Sequence, residues 1–224
     1  MHAAQPANFG SRVKAPGLGF LARQPHPTRR DWARHAYWQR IHKYLYRSLS
    51  GICSYCASYT PRRAAGGQPD HTSVDHFVPK AVGNHEQAYD WSNLRLCRAR
   101  LNRRKNSYRD VLDPCTIGQR WFQLDFISFY LHPDLSLALS DQQSINATIN
   151  RLELNSDDQY VDERARVTYL FADGKITLAQ VDSMYPFIAS EMKAQDFANA
   201  YLPQFKKALT SPQLRSALLK RGWA

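Results

Sequence analysis

Asp75 and His76 stand side by side in Val74-Asp75-His76-Phe77-Val78-Pro79-Lys80, and a later stretch, Leu101-Asn102-Arg103-Arg104-Lys105, brings an amide and three cations. Between them lies Trp91-Ser92-Asn93-Leu94. These residue types suit hydrolysis of a phosphodiester. Imidazole is the side chain whose ordinary pKa lets it take a proton from water near neutral pH. Carboxylate and amide oxygens suit a hard divalent cation, which neutralises charge at a phosphate and on a leaving oxygen. Neighbours on a strand point to opposite sides, so Asp75 can face a cation while His76 faces a water.

Taken together and in this order, the residues of Ser73–Asn106 resemble the HNH endonuclease family, whose ββα-metal unit carries such a pair at a strand end. The resemblance implies that His76 is the general base and Asp75 the first metal ligand. Asn93 matches the middle Asn, which hydrogen-bonds across a loop and holds the base in place. Asn102 matches the final Asn or His, a second metal ligand, and Lys105 a basic position near the phosphate. Mg²⁺ or Mn²⁺ is the expected ion, with DNA favoured over RNA as substrate. The stretch Val74–Pro114 is similar to bacterial HNH proteins, some of them accessories of phage-defence operons, which implies an operon-encoded protein partner. The alternative is an inactive HNH-like module that only binds nucleic acid.

The cysteines depart from the pattern. Cys53 and Cys56 match the first of two C-x-x-C pairs that hold a structural zinc in many members of the family. Leu101 stands where the second pair would place a cysteine, and four-coordinate zinc needs two further good ligands. The expectation is packed thiols and less than one zinc per chain.

The elements that must position these residues read as follows. Residues 1–28, rich in Ala, Gly and Pro, read as a flexible tail without apolar periodicity. The domain that follows spans 29–115. A helix runs from Arg29 to Ser48 on Trp32, Trp38, Ile41 and Leu45, ending before Gly51. Short β segments cover 52–60 and 73–78, with a loop at Gly66, Gly67 and Pro69 between them and a turn at Pro79 and Gly83 after them. A basic helix covers Asn93–Asn106. A mostly helical region spans 116–224, with a strand at Trp121–Leu131 and helices at 141–153, 159–171, 177–197 and 212–221. Ser140-Asp141, Thr177 and Ser211-Pro212 supply helix starts. The expected class is α+β: a ββα-metal core with an N-terminal helix and a mostly helical C-terminal region.

Charge points the same way. Net charge is +11, and residues 1–110 hold 19 Lys+Arg against 6 Asp+Glu, so the whole excess lies in the first half. A field of one sign on half a chain suits a polyanion. Six cations (Arg95, Arg98, Arg100, Arg103, Arg104 and Lys105) crowd one short stretch that holds no carboxylate. With Lys80, all but Arg95 are the expected nucleic-acid contacts. No run approaches the roughly 18 apolar residues of a membrane span, and no apolar signal core is read near the start, so a cytoplasmic protein is expected.

Overall fold

Strand β1 (Thr72–His76) pairs antiparallel with β2 (Leu94–Arg98) in the register Val74↔Leu96, Asp75↔Arg95 and His76↔Leu94. All five β2 residues are buried, so both of its faces are covered. Helix α4 (Ala99–Lys105) follows without a loop; the Asp70 carboxylate accepts the Arg100 N–H at its N-terminus. This computed structural model describes residues 3–63, 70–80 and 85–223. The expected loop at Gly66, Gly67 and Pro69 and the turn at Gly83 lie outside them.

The chain divides into two compact units, Met1–Tyr55 with Tyr59–Ile117, and Cys56–Ser58 with Gly118–Ala224. Among the described residues each contains one two-stranded antiparallel sheet amid helices, and the class is α+β. No described helix is long and apolar enough to cross a membrane.

In the first unit, residues 1–28 depart most from expectation. A π-helical turn (Gly10–Lys14) leads into α1 (Ala15–Arg23), and Phe9, Val13, Phe20 and Leu21 are buried in the core with Trp32, Trp38 and Tyr89. The cause is a stripe at three- and four-residue steps that Pro and Gly obscure, with Pro16 placed where the π-helical turn passes into α1. Gly17 packs on the Tyr89 ring so closely that a Cβ there would overlap the ring. The expected Arg29–Ser48 helix is three pieces: α2 (Arg29–Arg34), a 3₁₀ turn (Tyr37–Ile41) and α3 (His42–Ser48). A Thr28/Asp31 capping box starts α2. Residues 52–60 form only a single bridge, Ile52 with Tyr59. The helix expected at Asn93–Asn106 is half strand, because Leu94 and Leu96 alternate with period two before the helical stretch begins.

In the second unit, the strand expected over Trp121–Leu131 is a hairpin of β3 (Phe122–Leu124) and β4 (Leu131–Pro133), its turn held by Asp125 accepting from Ile127 and Ser128. Arg164, buried, donates to the Phe129 and Leu154 carbonyls and so fixes the hairpin on the helices. Helices α5 (Leu139–Leu152) and α6 (Asp158–Ala172) come next. The start of α5 lies before Ser140-Asp141 and carries no side-chain cap. The stretch 177–197 breaks at Pro186 and Asp196 into α7 (Leu178–Met184), α8 (Pro186–Ala194) and α9 (Phe197–Ala200). Thr177 forms a capping box with Gln180. Helix α10 (Leu202–Leu209) lies outside the expected helices, and α11 (Pro212–Lys220) is capped by Ser211.

Candidate functional site

A cleft of about 1030 Å³ opens in the first unit, within the size range of ligand pockets or slightly above it. Asp75, His76, Lys80, Asn102 and Arg103 all line it, with Trp38 packed beside His76 and Lys80. Strand β1 ends at the Asp75–His76 pair, and α4 lies against the sheet, which is how residues far apart in sequence meet here.

His76 is fixed from two sides. Its Nε2 lies 3.0 Å from the Ala88 carbonyl, and a carbonyl oxygen only accepts, so Nε2 carries the hydrogen. The neutral ring therefore has its lone pair on Nδ1, which has no hydrogen-bond partner among the described residues. Trp38 meets the imidazole edge to face at 4.5 Å. Burial, reinforced by the nearby Lys80 ammonium, pushes the imidazole down to about 3, against the pull of the Ala88 hydrogen bond. At neutral pH the ring is uncharged.

Asn93 holds the 3₁₀ turn that carries that carbonyl. Its Oδ1 accepts the Val78 N–H at 2.6 Å, while Nδ2 donates to the Val78 and Gln87 carbonyls at 3.0 and 2.9 Å. One buried side chain thus ties the backbone just after β1 to a 3₁₀ turn (His85–Tyr89) in which Ala88 follows Gln87. Asn93 acts on His76 through this backbone and is a positioning residue.

Asp75 is buried and already engaged. Tyr55 donates its hydroxyl to Oδ2 at 2.6 Å, and Lys105 Nζ lies 3.2 Å from each carboxylate oxygen. A carboxylate offers about four lone-pair sites, so these three contacts leave one, on Oδ1. Asn102 donates Nδ2 to the Ser73 hydroxyl and the Val74 carbonyl, and its amide oxygen accepts no side-chain hydrogen bond among the described residues. One carboxylate oxygen and one amide oxygen are a sparse but fitting donor set for Mg²⁺, which keeps several waters and takes phosphate oxygens. No three or more His, Cys, Asp or Glu gather as a metal site among the described residues. Cys53 and Cys97 are buried; the Cys53 sulfur accepts the Arg98 N–H at 3.3 Å and Cys97 lies 3.6 Å from the Ser73 hydroxyl. Cys56 and Cys115 are half-buried.

The basic cluster requires correction. Lys105, the residue expected at a phosphate, is only 1% exposed, and besides facing Asp75 it donates to the His76 carbonyl at 2.8 Å. Arg98 is buried too, donating to the Thr60 hydroxyl and the Tyr59 carbonyl. Arg95 makes a two-pronged pair with Asp113 at 2.9 and 2.6 Å. For Lys105 and Arg95 the carboxylates missing from the local sequence come from elsewhere in the fold, from Asp75 and Asp113, because a buried cation needs partners. Of the expected contacts, Lys80 and Arg103 line the cleft, whereas Arg100 and Arg104 are half-buried. Burial holds the Lys80 ammonium below the ordinary lysine range, with Asp75 opposing. Tyr55, Trp38 and the Ala88 carbonyl are not legible as site groups in the sequence, since nothing in their local spacing marks them. Compared with protein-family models and with curated proteins, the chain matches none.

Proposed function

We propose that the chain is a metal-dependent endonuclease built on an HNH-type ββα-metal core, hydrolysing phosphodiester bonds of nucleic acid, DNA in preference to RNA. The observation that carries this reading is His76: a neutral imidazole on the cleft wall, its Nε2–H committed to a backbone carbonyl and its Nδ1 left as the basic atom, beside Asp75 and Asn102. His76 Nδ1 takes a proton from water as the water oxygen bonds to phosphorus. The bond from phosphorus to the leaving sugar oxygen breaks, and that oxygen gains a proton from solvent. The incoming phosphate, being negative, raises the His76 pKa from its low resting value and so strengthens the base where it is needed. Lys80 and Arg103 bind phosphate oxygens, and Asn93 keeps the Ala88 carbonyl in place. A divalent cation, held by Asp75 and the Asn102 amide oxygen, supplies charge neutralisation at the phosphate and leaving oxygen when bound.

A second reading, a nucleic-acid-binding module without catalysis, is favoured by the Lys105–Asp75 pair, which neutralises the one charged ligand. Incubation of purified protein with plasmid, linear DNA and RNA, in Mg²⁺, Mn²⁺ or EDTA, separates the two. The nuclease reading expects metal-dependent products that His76→Ala reduces by about 10²–10⁴-fold with DNA affinity retained. Binding without cleavage in every ion selects the module instead.

A further inference from the structure

We infer that Lys105 is an internal counter-ion for Asp75, holding the carboxylate in place for a divalent cation while keeping that cation weakly bound. The inference rests on the proposed metal-dependent reading. A lysine buried to 1% exposure without a partner would be costly; here the ammonium faces both oxygens of the Asp75 carboxylate and donates to the His76 carbonyl. Tyr55 fixes the carboxylate from another side with a 2.6 Å hydrogen bond. The ammonium therefore ties together the two adjacent β1 residues that carry the proposed ligand and base.

The charge count gives the consequence. Asp75 and Lys105 sum to zero, so a cation approaching the remaining Oδ1 lone pair meets a much weakened attraction, and Lys80 adds a further positive charge close by. Negative charge must arrive from outside, and a phosphodiester brings it. The fixed cation also offsets the desolvation of the buried Asp75 carboxylate. The same lysine that prepares the ligand thus competes with the ion for it.

Lys105→Met keeps the length of the side chain and removes the charge. Mn²⁺ binding, followed by calorimetry and by electron paramagnetic resonance, should tighten by about tenfold or more in this variant. Its melting temperature should be low in EDTA and should rise with Mn²⁺ further than that of the unsubstituted protein. Asp75→Asn combined with Lys105→Met removes both charges; it should fold without metal and bind no Mn²⁺. Mn²⁺ affinity unchanged or weakened in Lys105→Met overturns the inference, as does a variant that stays unfolded in saturating Mn²⁺. Plasmid cleavage by the unsubstituted protein, run in parallel, reports on the nuclease reading separately. Tighter Mn²⁺ binding by the variant of a protein that cuts nothing keeps the counter-ion and discards the nuclease.

Discussion

His76 couples stability to pH as well as serving the proposed chemistry. In the unfolded chain its pKa is about 6.5, whereas in the fold it is about 3. Between these values the unfolded state binds the proton and the folded state does not, so stability falls as pH drops below about 6.5 and is unaffected by this group above it. The loss approaches roughly 1.4 kcal/mol per pH unit across that window. Urea unfolding at intervals from pH 7 to pH 4 should show a shallower decline for His76→Gln than for the unsubstituted protein. Parallel curves would mean that the ring accepts its proton within the fold. What the sequence makes legible at this site is identity: Asp75, His76, Asn93 and Asn102 are recognisable by type and order. What it does not make legible is partnership. The Tyr55 hydroxyl and the Ala88 carbonyl lie far along the chain from the atoms they hold, and no spacing rule reaches them.

At the scale of elements, sequence periodicity serves well where a cap or a single period rules, and poorly where two periods meet. Thr177 and Ser211 are visible as helix starts and hold their helices as such. The stretch Leu94–Lys105 changes from period two to period 3.6 at Arg98, and its arginines and lysine make the whole look like one basic helix. The N-terminal residues mislead for the opposite reason, since proline and glycine mask a genuine apolar stripe. That stripe has a measurable weight. Phe20 is 3% exposed, stacks on His35 with ring centroids 3.9 Å apart and meets Trp32 edge to face. Phe20→Ala should lower stability by about 3–5 kcal/mol, read from the midpoint of urea unfolding. A cost near zero would return the first residues to the status of a tail.

For the whole molecule, the excess of positive charge in the first half sets the expected salt response. Part of that excess is internal, with Arg95, Arg98 and Lys105 buried among protein partners. These cations are already neutralised or hydrogen-bonded and add little to the release of counterions from DNA. Affinity for mixed-sequence DNA should therefore depend on salt through the cleft cations rather than through all six residues of the cluster. Replacing Lys80 and Arg103 by Gln should flatten the dependence of log affinity on log salt by about 0.7–0.9 for each phosphate that the variant no longer neutralises, equally for all sequences. A slope that does not change would move the polyanion away from this cleft. Gly17 shows how widely the proposed chemistry is distributed over the first unit. Its missing side chain lets α1 lie against Tyr89, whose hydroxyl donates to the His35 carbonyl and whose preceding residue supplies the oxygen that orients His76. A screen that scores colonies for loss of cleavage would thus return Gly17 alongside His76. Phenotype alone would not separate the residue that moves the proton from the one that makes room for it.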